Sequence, residues 1–198
     1  MNRSIILAAA LLASGAQASA QATPPGKASA VFAGGCFWCT ESDFDKVPGV
    51  IATTSGYIGG KAASANYEQV SAGGSGHIEA VRVVYDPARV SYASLAARFI
   101  RTIDPTDGGG QFCDRGSQYR SAFFVANPAE RNIAESVKTS AAARLNKPVA
   151  TLVLPATPFY AAETYHQDYY KKNPVRYRFY RTSCGRDARL KRIWGAKG

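Results

Sequence analysis

The sequence predicts a single α+β or α/β domain behind a removable leader. Three observations lead there. Setting aside the first 20 of the 198 residues leaves a chain long enough for one full-sized core, with ordinary apolar and aromatic content. Stretches of β-branched character alternate along it with stretches of helical spacing, an interspersed order that suits helices packed on a sheet. No internal repeat, low-complexity block or second linker divides it. The order of strands within the sheet does not follow from any of this.

Met1-Asn2-Arg3 is a short basic start, Ser4 to Leu12 is mostly apolar, and Ala18-Ser19-Ala20 offers small residues to a signal peptidase. Residues 1–20 therefore read as a secretory signal peptide. The apolar run is well short of the roughly 20 residues that span a bilayer, so cleavage is expected over anchoring, with a periplasmic or otherwise secreted product. Residues 21–29, containing Pro24-Pro25-Gly26, form a mature N-terminal tail, and 30–198 the catalytic domain.

Ala28 to Ala33 is a short buried strand that Gly34-Gly35 breaks, and a helix opens at Cys36. Val50 to Tyr57 is rich in β-branched residues and extended. Residues 58–76 are mostly loop, with one helical turn after Asn66. His77 to Tyr85 is a central strand ending at Asp86-Pro87, and Ser91 caps a helix to about Ile103, with Leu95, Phe99 and Ile103 on one face. Asp104 to Gln111 is a glycine-rich loop and Ser121 to Ala126 a strand. Asn127-Pro128 starts a helix that runs to about Leu145, since proline suits the first helical position. Val149 to Leu154 is a last strand. Short helices follow over 162–172, closed by Asn173-Pro174, and over 186–194.

Lys and Arg outnumber Asp and Glu by 24 to 14, a net charge of +10. Basicity alone fits nucleic acid or anionic surfaces. Much of it lies between Lys171 and Lys197 without a nucleic-acid-binding signature, so it reads as a solvated C-terminal face and no nucleic-acid partner is expected. The four cysteines matter more, because thiols in an oxidising compartment tend to pair.

Gly34-Gly35-Cys36-Phe37-Trp38-Cys39 carries the strongest chemistry. A cysteine at a helix start meets unpaired N–H groups and the positive end of the helix dipole, both of which favour the nucleophilic thiolate. Cys36 and Cys39 also form a C-x-x-C pair, which leaves a thioredoxin-like disulfide oxidoreductase open. His77 and His166 are the only histidines. Cys36 with His166 would make a cysteine hydrolase, although a structural place for both histidines is the default. Two histidines and four scattered cysteines give no zinc spacing, and no metal is expected.

Further blocks bear on this choice. Cys36-Phe37-Trp38 with Glu41, Ser55-Gly56-Tyr57-Ile58-Gly59-Gly60, Tyr67-Glu68-Gln69-Val70, and Gly76 to Val81 followed by Tyr85-Asp86-Pro87 stand in order, ahead of Asp114 to Ser121 and Phe159 to Gln167. Over roughly residues 30–175 the chain resembles the class A peptide methionine sulfoxide reductases. The resemblance implies a two-layer α+β sandwich, a mixed sheet flanked by helices on the family's ferredoxin-like core. It implies reduction of methionine S-sulfoxide, free or in oxidised proteins, by a monomer. No cofactor is implied beyond an external dithiol or thioredoxin-like electron donor.

By the same resemblance Cys36 is the nucleophile, which becomes a sulfenic acid, and Glu79 the general acid. To work near neutral pH, Glu79 needs an apolar site that raises its pKa. Tyr57 and Tyr119 match hydroxyls that bond the sulfoxide oxygen, Asp114 a polar position beside it, and Phe37 and Trp38 an apolar cradle for the methyl group on sulfur. Members differ in the cysteine that resolves the sulfenic acid. Cys39 and Cys184 both qualify here. A Cys36–Cys39 redox pair with Cys113–Cys184 as a tail-fixing disulfide is our working hypothesis, against a Cys36–Cys184 bond with Cys39 as bystander or relay.

Overall fold

The computed structural model describes residues 23–195; the expected signal peptide, residues 1–20, lies outside them. Strand β1 (Ala28–Gly34) takes in the end of the expected tail and forms the middle of the sheet with β3 (Ile78–Tyr85). Around them lie β2 (Val50–Ile58), β6 (Ser121–Val125), β7 (Leu152–Pro155) and the edge strand β8 (Phe159–Ala161), in the order β7-β6-β1-β3-β2-β8. Only the β6–β7 pair is parallel, so the sheet is mixed. Two-residue strands β4 (Gly110–Gln111) and β5 (Asp114–Arg115) pair beside it.

Side chains alternate across a strand, and that alternation places the site. Phe32 of β1 and Val81 and Val83 of β3 are buried on one face, in one cluster with Phe37, Phe44, Leu95, Phe99 and Phe123. Helices α1 (Phe37–Phe44), α3 (Tyr92–Phe99), α4 (Pro128–Leu145) and α7 (Arg186–Trp194) supply that layer. Ala33, Ile58, Ala80 and Phe124 form the cluster on the other face. Glu79 lies two residues before Val81, and Tyr57 opposite Glu79 in the β2–β3 register. Both therefore point to the helix-covered face.

Capping fixes several helices where the sequence predicts. Asn66, Ser91 and Asn127 each accept an N–H bond from three residues on, from Gln69, Ser94 and Glu130. The first begins α2 (Tyr67–Ser71), and the last begins α4, with proline at its start.

The C-terminal third departs from expectation. Instead of one helix over 162–172, residues 164–168 are turns and only α5 (Tyr169–Lys172) is helical. Gln167 explains it: its amide accepts from Ser55 N–H and donates to the Ser55 and Ala162 carbonyls, all at 2.9 Å, taking the place of a strand partner at the end of β8. Asp168 then turns the chain with a left-handed φ of 54°. The expected strand from Val149 starts later, because Ala150 and Thr151 donate to the Pro105 carbonyl. Helix α6 (Pro174–Ser183) and strand β8 were not anticipated. Nor is the basic tail only a solvated face, since Arg186 is buried beneath it.

Candidate active site

Gly35 adopts a φ of 80°, and a Cβ there would come within 2.5 Å of the Gln111 side chain, so the turn between β1 and α1 requires glycine. The turn sets Cys36 as the N-cap of α1, buried and unused as a side-chain cap. The next amide, Phe37 N–H, donates to Glu79 Oε2 at 3.0 Å. Thiol and carboxyl thus flank one peptide bond at the start of a helix. Glu79 is 2 % exposed, and burial pushes its pKa up to about 8, aided by Asp114, Cys39 and Glu163 and opposed by the Phe37 N–H. At neutral pH it keeps its proton, the state expected of a general acid.

The expected depression of Cys36 is corrected. Burial pushes its thiol up, and Cys39, Glu79 and Asp114 push the same way. Cys39, one helical turn on, is held down to about 7 by the hydrogen bond from Cys36 and by the Arg186 and Arg181 charges, against burial. Acids crowd the Cys36 side and arginines the Cys39 side, so the negative charge of the dithiol rests on Cys39. That bias outweighs the helix dipole, which acts on both sulfurs within one turn.

Four tyrosines approach this pair. Tyr57, fully buried, donates its hydroxyl to Glu163 Oε2 at 2.8 Å, and Glu163 Oε1 accepts from Tyr67 N–H at 2.8 Å. Tyr119 ends the turn Ser117–Tyr119, which β6 holds against the end of β1 through the Gly34–Ser121 pair. Burial and Glu79 raise the pKa values of Tyr57, Tyr67 and Tyr119, with Glu163 also acting on Tyr57, so all three remain hydroxyl donors. Asp114 accepts from Tyr180 Oη of α6 at 2.6 Å, and burial, with the nearby Cys36 and Asp114, pushes the Tyr180 pKa well up, so it too stays a hydroxyl.

Phe37 packs inward against Tyr57 and His166, while Trp38 is half-buried and stacks on Tyr169, centroids 3.7 Å apart and planes 5° off parallel. Tyr180 meets Trp38 edge-on at 5.7 Å. Trp38 Nε1–H donates to His166 Nδ1 at 3.0 Å, which fixes the proton of a neutral His166 on Nε2. His166 accepts from Trp38 through Nδ1, and its Nε2 faces Glu163 at 3.9 Å rather than Cys36. His77 accepts from Gly60 N–H and reaches the Lys61 carbonyl, a structural place.

Cys113 and Cys184 form a disulfide that closes 71 residues, while Cys36 and Cys39 are free thiols. Cys113, Asp114 and Cys184 bring possible ligand atoms within 4.8 Å of one another, but two of the three are the joined sulfurs. Of the expected site residues, Cys39, Glu79, Asp114 and Tyr119 lie near Cys36, Tyr57 packs on Phe37 beside it, Trp38 faces His166 and Tyr169, and Cys184 is held in the disulfide. The sequence reading missed Glu163, Tyr67, Tyr169, Tyr180 and Arg186. Glu163 stood in a quoted block without a role, and nothing in the local pattern marked Tyr180.

Residues 28–198 match the sequence model of the family described as peptide methionine sulfoxide reductase. The chain belongs to that family. A Caulobacter vibrioides relative, peptide methionine sulfoxide reductase MsrA 2, is 55 % identical over 197 residues, 98 % of this chain and all of the relative. Among solved structures, methionine sulfoxide reductase A of Corynebacterium diphtheriae is similar with a TM-score of 0.68 and 36 % identity over 77 % of both chains. Saccharomyces cerevisiae Mxr1 in its reduced form gives a TM-score of 0.73 and 31 % identity over 77 % of this chain and 88 % of that one. This reductase is therefore of the A class, an oxidoreductase acting on methionine sulfoxide, and the expected mixed-sheet α+β fold is the observed one.

Proposed function

We propose that Cys36 attacks the sulfur of methionine S-sulfoxide while Glu79 protonates its oxygen. One observation carries this reading: a buried carboxyl that keeps its proton to about pH 8 accepts the amide bond of the residue after the thiol. As Cys36 attacks, its proton passes to Cys39, and methionine leaves with Cys36 as sulfenic acid. Tyr119 and Tyr57 donate to the oxygen, Tyr57 by turning its proton away from Glu163. Phe37 and the Trp38–Tyr169 stack receive the methyl group on sulfur. Cys39 then resolves the sulfenic acid, since Cys184 already belongs to the Cys113–Cys184 disulfide and leaves Cys39 the available thiol. An external dithiol or thioredoxin-like protein returns Cys36–Cys39 to thiols. The signal-like residues 1–20 support export to the periplasm or beyond, and a second disulfide suits an oxidising compartment.

Separated sulfoxide epimers offered with a dithiol test the reading. The wild type should turn over the S epimer alone. Cys36→Ser should lose activity by about 10³-fold or more, and Glu79→Gln by about 10²- to 10⁴-fold, the reach of general acid catalysis. Activity in Cys36→Ser near the wild-type level overturns it. Disulfide reduction surviving Glu79→Gln intact, with no sulfoxide turnover, would return the chain to the disulfide oxidoreductases.

A further inference from the structure

To donate to the sulfoxide oxygen, Tyr57 has to leave a carboxylate. Its hydroxyl proton goes to Glu163 Oε2 at 2.8 Å, while Glu163 Oε1 accepts from Tyr67 N–H at 2.8 Å. When the hydroxyl turns to substrate, Oε2 loses its donor. A charged oxygen left short of a hydrogen bond offsets much of what the new bond contributes.

A second donor stands beside that oxygen. His166 is 1 % exposed, and its Nδ1 accepts from Trp38 Nε1–H at 3.0 Å. An accepting Nδ1 carries no proton, so the ring is neutral and its proton is on Nε2. Nε2 is buried and, among the described residues, has no hydrogen-bond partner. A buried N–H left unpaired is uncommon and calls for an explanation. It lies 3.9 Å from Glu163 Oε2, the same oxygen that holds Tyr57. Closing that gap to an ordinary hydrogen bond takes a movement of roughly 1 Å.

Packing decides which partner moves. Phe37, Trp38 and Tyr67 meet the His166 ring at centroid distances of 4.9, 5.7 and 4.6 Å, so the imidazole is held in place. The Glu163 side chain is 34 % exposed and can tilt about the bond that Tyr67 N–H makes to Oε1.

We propose that His166 is a positioning residue for Tyr57, its Nε2–H taking over Glu163 Oε2 when the Tyr57 hydroxyl turns to the sulfoxide oxygen. No covalent bond changes. The tyrosine keeps its proton, Glu163 keeps its charge, and one hydrogen bond to Oε2 replaces another. Glu163 orients the hydroxyl before substrate arrives, and His166 eases its release. This inference rests on the donor role given to Tyr57 above.

The test separates the two ring nitrogens. His166→Asn keeps an acceptor for Trp38 where Nδ1 stood but is too short to reach Glu163. His166→Gln can carry an amide N–H to the place of Nε2 but gives up the acceptor for Trp38. Turnover of methionine S-sulfoxide is measured for both, at a temperature where circular dichroism shows each protein folded. In His166→Asn, kcat/KM should fall about tenfold or more, the size of a hydrogen bond to a charged group. In His166→Gln it should fall by less. Once Tyr57→Phe has removed the hydroxyl, adding His166→Asn should cost less than about threefold further. Wild-type turnover in His166→Asn, a glutamine variant slower than the asparagine variant, or losses from Tyr57→Phe and His166→Asn that simply multiply would each overturn the proposal. Tyr57→Phe with wild-type turnover would overturn the donor role of Tyr57 and this inference with it, a result distinct from the others.

Discussion

Replacing Glu79 by glutamine removes one titrating proton and keeps the shape, because the amide oxygen can still accept the Phe37 N–H bond. In the folded protein Glu79 keeps its proton to about pH 8, whereas in the unfolded chain it loses it near the ordinary 4.5. Between those values the native state carries a proton that the unfolded state has released. Stability therefore declines as pH rises through this window and is flat above it, so far as this group is concerned. The slope is about 1.4 kcal/mol per pH unit, or roughly 4 kcal/mol between pH 5 and pH 8. Glu41, also pushed up to about 7 by burial and by Asp168 and Asp45, slopes the same way but is present in both proteins and cancels in the difference. Urea unfolding at a series of pH values, disulfide intact, reads the result. The Glu79→Gln protein should match the wild type within about 1 kcal/mol at pH 5 and exceed it by several at pH 8. Parallel stability curves for the two proteins would mean an ionised or solvated Glu79 and would refute the reasoning.

Three further outcomes are expected. Replacing Cys113 and Cys184 by serine together opens a loop of 71 residues, and chain entropy sets the loss at about 4 kcal/mol; thermal unfolding should show a fall of many degrees, and an unchanged midpoint would deny the bond a stabilising role. His166, whose pKa burial holds below 6.5, binds fewer protons folded than unfolded, so its contribution is present above that value and is lost as pH falls. His166→Asn, with an amide oxygen to accept from Trp38, should therefore lose less stability than the wild type on going from pH 7 to pH 5, measured by the same unfolding series. Arg186, itself buried, donates to the Gly34 and Thr102 carbonyls at 3.1 and 2.8 Å; Arg186→Met should cost about 2 kcal/mol or more and raise the Cys39 pKa, read by the pH dependence of its alkylation.

Much of the fold was legible in local chemistry. Asn127-Pro128 marked α4 because the cap and the proline act within one turn, and the alternation from Ile78 onward marked β3. The catalytic candidates were legible only as a set, since a lone Glu79 or Tyr57 reads as an ordinary strand residue. What the sequence withheld was long-range. Gln167 completes β2 from 112 residues away, and Glu163 holds Tyr57 from 106 away, so neither contact leaves a trace in local periodicity. The ionisation of Cys36 was misjudged for a related reason. The helix start is visible in the sequence, but the acids and arginines that gather round it arrive from β3, β5, α6 and α7.

The most direct measurement of whether Cys36 takes the oxygen uses a sulfoxide labelled with heavy oxygen and the Cys39→Ser protein, which cannot close the Cys36–Cys39 bond. After one turnover without reductant, mass analysis should find one equivalent of methionine and the heavy oxygen on Cys36 as sulfenic acid. Methionine formed with no label on Cys36, or with the label on another residue, would contradict the account.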